Sequence, residues 1–191
     1  MKLHNRLIWM LSLIVIIGVQ FNLSAQEDLK RIKVVKEISM KVPASFETMA
    51  RADRISRYVS ARDPLAMFTN KDRTIDLGIN ATLNKWEAGN LEIVKDFYKA
   101  GILNLFTEVN FIQEDIRKIG DRQFVVFEFL SKISDENNTF GSGSSLSKYT
   151  YIQYTIYDDK VLLFNFTAPA RLRNVWAEPA KEMMESVRIK P

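Results

Sequence analysis

The chain has 191 residues, of which 47% are hydrophobic and 26% are charged, and this balance is typical of a globular protein. It has no cysteine, and its single histidine is His4. Beyond His4 these counts exclude disulfides, zinc sites built from Cys and His, thiol nucleophiles and Ser-His-Asp triads. We therefore predict no catalytic residues, no metal site and no cofactor.

Residues 1–25 have the pattern of a signal peptide. Lys2 and Arg6 give a basic start, Leu7–Val19 forms an apolar core, and a cleavage site precedes Gln26, directly after Ala25. Cleavage there predicts an exported protein, either periplasmic or secreted. The alternative is an uncleaved anchor, which would be the protein's only contact with a membrane.

Removing those 25 residues leaves 166, enough for the single domain that we predict over 26–191. The removed segment carries two of the 27 basic residues and none of the 23 acidic ones, so the remaining net charge is +2. A nearly balanced charge gives no support to nucleic-acid binding, which usually needs a concentrated basic surface.

The first part of this domain predicts short elements. The lysine-rich run Ile32–Ile38 predicts an edge strand, and Pro43–Phe46 predicts one helical turn. Asp53–Asp63 contains several arginines and predicts a solvated connector, with a basic patch as the alternative. Alternating apolar residues then predict a hairpin of Leu65–Phe68 with Thr74–Thr82.

A helix and an antiparallel meander follow. Apolar residues at three- and four-residue steps predict a helix from about Asn90 to Leu105. Four runs rich in β-branched and aromatic residues predict neighbouring strands. These are Val109–Ile116, Arg122–Ser131, Lys148–Tyr157 and Val161–Thr167.

Several of these strands are apolar on both faces, so helices must cover both sides of the sheet. One cover is the helix ending at Leu105, and the other is a tail helix over about Asn174–Ser186, whose first turn Pro179 is expected to separate. A last edge strand is expected at Val187–Ile189. The fold class is therefore α+β, an antiparallel meander with helices on both faces.

This order of elements resembles the PsbP-like superfamily, an α/β/α sandwich. The residues that carry the resemblance are Val42–Phe46, the strand Thr74–Thr82, the closing run Phe166–Pro169 and Met183–Ile189. The family is named for an extrinsic photosystem subunit and includes a Ran-binding nuclear import factor and bacterial envelope proteins. The resemblance implies a non-catalytic protein that docks onto larger partners, but it identifies no partner.

Arg171, Arg173 and Trp176 are the predicted partner-binding residues, because Arg and Trp dominate binding energy at protein interfaces. The alternative interpretation places Trp176 in the core and pairs the two arginines with Glu178 and Glu182.

Tyr149, Tyr151 and Tyr157 share one strand face and are the predicted ligand groove. The alternative interpretation is a core layer beneath a helix.

Two further features have weaker functional interpretations. Glu128 lies in the middle of a strand. It is either a cleft carboxylate that pairs with Glu108, Glu114 or Asp115 for glycoside chemistry, or an ion-paired side chain with Lys118 or Arg122 as its partner. The polar stretch Asp135–Asn138 and the glycine-serine run Gly141–Ser145 predict a loop rather than a calcium or phosphate site.

We therefore expect an exported, non-catalytic protein that binds another macromolecule of the envelope or the secreted fraction, most simply a protein. A carrier of a small apolar ligand is the first alternative. A carboxylate-dependent hydrolase built on Glu128 and a second acid is the other alternative.

Overall fold

The computed structural model describes residues 27–58, 63–87, 89–133 and 146–190. The predicted signal peptide and the predicted loop containing Asp135–Asn138 and Gly141–Ser145 lie outside these ranges. Ten strands are assigned within them. In chain order these are β1 (Leu29–Lys33), β2 (Ile38–Pro43), β3 (Glu47–Thr48), β4 (Ala66–Thr69), β5 (Asp76–Lys85), β6 (Glu108–Ile119), β7 (Arg122–Ile133), β8 (Leu146–Tyr157), β9 (Lys160–Pro169) and β10 (Arg188–Ile189).

Seven of the strands form one antiparallel sheet with the order β3-β4-β5-β9-β8-β7-β6. Strands β6 to β9 are consecutive neighbours, which confirms the predicted meander, and β4 pairs with β5 as the predicted hairpin. The turn between β8 and β9 has positive φ angles at Asp158 (51°) and Asp159 (56°). Such angles at both central residues suit the twist of a tight hairpin, and Asp tolerates them better than most residues.

A second sheet has three strands in the order β1-β2-β10. The predicted edge strand Ile32–Ile38 is interrupted by a turn at residues 34–37, because β1 ends at Lys33 and β2 begins at Ile38. The expected helical turn at Pro43–Phe46 is a single tight turn between β2 and β3, in which the Phe46 N–H donates to the Pro43 carbonyl at 3.0 Å. The predicted last strand is present as β10, which pairs with β2.

Three α-helices accompany the sheets in the part of the chain that the structure describes. They are α1 (Arg51–Arg57), α2 (Leu91–Leu105) and α3 (Arg173–Glu185), the last preceded by a 3-10 turn at Ala170–Leu172. The predicted connector is therefore partly a helix, α1. Pro179 lies inside α3 and does not separate its first turn. Pro179 has no N–H to donate to the carbonyl of Val175, one turn earlier in α3 on a side of the helix where Val175 is exposed.

Two hydrophobic cores lie on opposite faces of the large sheet. One is formed by that sheet, by β2 and by α3, with Phe164, Phe166 and Met183 among its fully buried side chains. The other packs the sheet against α2, with Val94, Val125 and Phe127 fully buried. Helices thus cover both faces, as predicted, and the small sheet shares one face with α3. Within the described ranges, no helix is both long enough and apolar enough to cross a membrane.

Candidate functional site

Trp176 lies in the core between α3 and the large sheet. It is 6% exposed, and its ring centroid is 5.5 Å from those of both Phe46 and Phe166. The side chain is therefore a packing residue in this conformation, as in the alternative interpretation of the sequence. A partner that docks onto the folded surface would have little of this ring to contact.

The two predicted arginines have different surroundings. Arg171 is exposed in the 3-10 turn, and none of the ion pairs among the described residues includes it. Arg173 lies at the start of α3, with its Nη2 4.0 Å from Oε1 of Glu128. The expected partner Glu182 is occupied by Lys41, at 2.6 Å between Nζ and Oε1. Of the three predicted partner-binding residues, Arg171 is exposed, Arg173 keeps 37% of its side chain exposed, and Trp176 is buried.

The three tyrosines of the predicted groove also differ in burial. Tyr149 and Tyr151 are completely buried in the core beneath α3, alongside Met183 and Met184. Tyr157 is partly exposed at the far end of β8, where the guanidinium of Arg122 lies 5.0 Å from its ring centroid. The first two tyrosines therefore occupy a core layer rather than the wall of an open groove.

Glu128 joins two of these predicted residues in one polar cluster. The Tyr149 hydroxyl donates a hydrogen bond of 3.1 Å to Oε1 of Glu128, close to the guanidinium of Arg173. Burial is the main cause of a raised pKa at Tyr149, and the neighbouring carboxylate raises it further. The side chain of Glu128 is 14% exposed, so this carboxylate is held by Tyr149 and Arg173 rather than by Lys118 or Arg122.

Tyr151 lies opposite Glu128 in the register of β7 and β8 and extends the same cluster. Burial raises the pKa of Tyr151 to about 12; the Arg117 guanidinium opposes this shift, and the Glu185 carboxylate adds to it. Arg117 lies near the hydroxyl without full hydrogen-bond geometry, and its Nη1 is 3.3 Å from Oε1 of Glu185. The cluster therefore links β6, β7 and β8 to both ends of α3.

Most of the carboxylates considered for glycoside chemistry do not meet at Glu128. Glu114 lies opposite Phe127 and contacts Lys99 of α2 at 2.7 Å, which puts it on the other face of the sheet. Glu108 pairs with Lys132 at 2.7 Å at the end of the hairpin. Asp115 lies opposite Val126, on the face of Glu128, and there it accepts hydrogen bonds from Gln113. This arrangement supports the interpretation of Glu128 as a side chain paired with Arg173 of α3, rather than as one of two acids in a cleft.

Asp76 is a buried polar residue that our reading of the sequence did not single out. It is 6% exposed and accepts a hydrogen bond of 2.7 Å from Oγ1 of Thr69, and others from Arg57 and Tyr58. Burial, followed by the bond to Asp76, raises the pKa of Tyr58 well above its ordinary value. The cluster attaches α1 to the large sheet. The signal in the sequence is an acidic residue at the start of β5, between the apolar residues Ile75 and Leu77.

The outer surface of α2 is a second feature that sequence reasoning did not identify. We call the exposed residues Ile93, Phe97, Leu103 and Leu105 the α2 surface. Ile93 is 58% exposed and Phe97 52%, and they are one helical turn apart. Meanwhile Lys95 and Lys99 turn toward Glu114 of β6. The helix therefore presents apolar side chains to solvent while two of its charged side chains bind the sheet.

The residues described contain no group of three or more His, Cys, Asp or Glu side chains arranged to hold a metal ion. No known family model matches the sequence. Among curated proteins, none has a matching sequence.

Several solved structures share the fold. PsbP (CyanoP) of Synechocystis sp. PCC 6803 is 11% identical, with a TM-score of 0.58, covering 90% of this chain and 95% of that one. The Ran-binding protein Mog1p of Saccharomyces cerevisiae is also 11% identical, with a TM-score of 0.54 and coverage of 85% and 96%. LpqN of Mycobacterium tuberculosis, which is involved in cell envelope biogenesis, is 12% identical, with a TM-score of 0.50 and coverage of 86% and 91%.

These likenesses cover most of each chain and confirm the predicted PsbP-like fold. Sequence identities of 11–12% establish the fold alone. The roles of these proteins differ from one another, so the fold does not assign a partner to this chain.

Proposed function

We propose that this chain is an exported, non-catalytic binding or assembly protein that docks onto another protein of the envelope or the secreted fraction. The observation that carries the proposal is the α2 surface. An amphipathic helix on a sheet normally buries its apolar residues and exposes its charges. Here Ile93, Phe97, Leu103 and Leu105 remain about half exposed or more.

Exposed apolar side chains on one element are typical of surfaces that bind another macromolecule. Phe97 is suited to such a contact because its ring is already held by Trp86, at 5.6 Å between centroids. A preorganised aromatic side chain loses little conformational entropy on binding. The neighbours named for Ran binding and for envelope biogenesis are consistent with a docking role.

The leader-like segment at residues 1–25 supports export. Absence of cysteine, and of histidine beyond His4, supports a role without thiol or imidazole chemistry. Arg171 is a second proposed contact, on the opposite side of the large sheet from α2, because it is exposed next to the buried Trp176.

Affinity capture from the envelope fraction of the source cell tests the proposal. We expect the tagged protein to retain one stoichiometric partner, and the variant Ile93→Ser/Phe97→Ser to lose it while its circular dichroism spectrum stays unchanged. Ile55→Ser is the matched control, because Ile55 is also an exposed apolar residue but lies on α1. Retention of the same partner by the α2 variant would refute a contact through this surface. Capture of nothing above background would count against docking altogether.

A further inference from the structure

Strand β6 forms one edge of the seven-stranded sheet. It is 12 residues long, and among the described strands it pairs only with β7. An edge strand of this length leaves a row of backbone N–H and C=O groups that can pair with another strand. The opposite edge, β3, has only two residues and offers no comparable row.

In the regular part of β6 the side-chain charges change sign at the midpoint, with acids on one side and bases on the other. The pairing with β7 shifts register between Phe111 and Gln113, and the strand ends at Ile119. The midpoint of the regular segment Gln113–Ile119 is Ile116. Two acidic residues, Glu114 and Asp115, precede Ile116, and two basic ones, Arg117 and Lys118, follow it.

Two copies of one strand that pair antiparallel about a two-fold axis place one residue opposite its own copy. An axis at Glu114, Asp115, Arg117 or Lys118 would place like charges directly opposite each other, which is destabilising. An axis at Gln113 would place the register shift beside the centre of the pairing. An axis at Ile116 instead sets Glu114 opposite Lys118 and Asp115 opposite Arg117.

We propose that Gln113–Ile119 binds the same segment of a second copy of this chain, antiparallel and centred on Ile116. The two seven-stranded sheets then form one continuous sheet. Each copy contributes its two acidic and two basic residues on either side of Ile116 to the interface. This self-association does not depend on the proposed docking function.

Contacts within one copy prepare these charges for the interface. Glu114 is held by Lys99 of α2 on one face, and Arg117 by Glu185 of α3 on the other. In the proposed dimer Lys118 of the second copy adds a cation to the first pair, and Asp115 of the second copy adds an anion to the second pair. Lys118 is exposed and belongs to none of the ion pairs among the described residues.

A charged edge with a register shift also discourages unrelated strands from adding to the sheet. The same residues discourage unrelated strands and favour a second copy of β6. An unrelated strand would leave Glu114 or Arg117 without an opposite charge across the new pair. A second copy supplies those charges in the order that β6 requires. The charge pattern therefore selects the chain's own β6 over other strands.

Sedimentation analysis of the purified protein over a range of concentrations tests the association. We expect a reversible dimer whose dissociation constant rises about tenfold or more in Lys118→Glu, because two cross-strand attractions become repulsions. The double variant Glu114→Gln/Lys118→Glu is expected to recover part of the lost affinity, since it removes both cross-strand repulsions without placing a third cation beside Lys95 and Lys99. Lys160→Glu, an exposed change of the same charge at the start of β9, is the control and is expected to have no effect.

A cysteine cross-link tests the register, since the chain has no cysteine of its own. Directly opposite Cα atoms in an antiparallel pair lie about 4.5–5.5 Å apart, within the range that a disulfide bridges. Ile116→Cys is therefore expected to yield a disulfide-linked dimer on mild oxidation. In Lys118→Cys the two thiols lie about four residues apart along the strands, roughly 13 Å, and no link is expected.

Either of two results would overturn the proposal. One is a monomer at every concentration with no cross-link through Ile116→Cys. The other is equal cross-linking of Ile116→Cys and Lys118→Cys, which indicates random collision. If Ile116→Cys does not fold, the charge-swap series decides alone. Loss of the dimer leaves the α2 surface intact, so this failure is distinct from a failure of docking.

Discussion

Asp76 shows how one buried carboxylate fixes a helix at the residue scale. Its oxygens accept hydrogen bonds from Thr69, Arg57 and Tyr58, and the last two come from the end of α1 and the residue that follows it. Since α1 buries no residue of its own, these bonds rather than an apolar face hold it to the sheet. Asp76 of β5 therefore fixes the end of α1, while Asp53 of α1 pairs with Arg73 in the turn before β5 at 3.2 Å.

We expect Asp76→Ala to lower the free energy of unfolding by about 2 kcal/mol, because it leaves three donors without their acceptor. Urea denaturation followed by circular dichroism measures this change. Asp72→Ala, an exposed acid in the preceding turn, is expected to change stability by less than about 0.5 kcal/mol. Equal stability of the two variants would contradict the role assigned to Asp76.

The buried tyrosines make a second prediction at this scale. Burial raises the pKa values of Tyr58, Tyr149, Tyr151 and Tyr154 above their ordinary value of 10.0. A folded-state pKa above the unfolded one contributes stability that is fully present below the unfolded value and is lost as pH rises toward the folded value. Stability should therefore not change through tyrosine ionisation below about pH 10 and should fall above it.

Ultraviolet difference titration measures tyrosinate formation directly. In the folded protein we expect tyrosinate absorbance to lag behind that of the urea-unfolded chain, most of it appearing only as the protein unfolds. Coincident titration curves for the folded and unfolded protein would show that these hydroxyls are open to solvent, contrary to the packing beneath α3 and around Asp76.

At the scale of elements, α3 is held to the sheet by its buried face rather than by its arginines. Trp176→Ala removes a ring that contacts Phe46 and Phe166, so we expect a loss of about 3–5 kcal/mol in unfolding free energy. Arg171→Ala removes an exposed side chain and should cost less than about 0.5 kcal/mol. Thermal unfolding of both variants tests this contrast, and a Trp176→Ala protein as stable as the parent would contradict it.

The sequence predicted the meander and α2 well, because the residue patterns that specify them lie within each element. Strands β6 to β9 follow from alternation and β-branched residues, and α2 from its three- and four-residue spacing. Helix α1 was not predictable in this way, because what holds it is a contact between Arg57 and Asp76, distant in sequence. The N-terminal hairpin was misplaced because one lysine-rich run spans parts of both strands and the turn.

The candidate sites were predictable in chemistry but not in geometry. Glu128 was singled out correctly as a charge within a strong strand, yet its partners Tyr149 and Arg173 come from other elements. The tyrosine row was placed on one face, but only the packing of α3 determines which of its members are buried. Exposure of Ile93 and Phe97 depends on the angle at which α2 lies on the sheet, which spacing alone does not specify.

At the scale of the whole molecule, the two faces of the large sheet are covered differently. Helix α3 and the three-stranded sheet close one face, whereas α2 covers part of the other and keeps apolar residues in solvent. The open edge at β6 adds a third surface. A PsbP-like sandwich built this way offers separate places for a partner on α2 and for a second copy on β6.

The most direct test of the docking proposal is the affinity of the captured partner for a panel of surface variants. We expect Ile93→Ser/Phe97→Ser to weaken binding by about tenfold or more, because truncation of buried interface anchors typically costs over 1 kcal/mol. Ile55→Ser should leave the affinity unchanged, and Arg171→Glu reports whether the opposite side of the sheet also contributes. Unchanged affinity in the α2 variant would contradict the assignment of docking to α2.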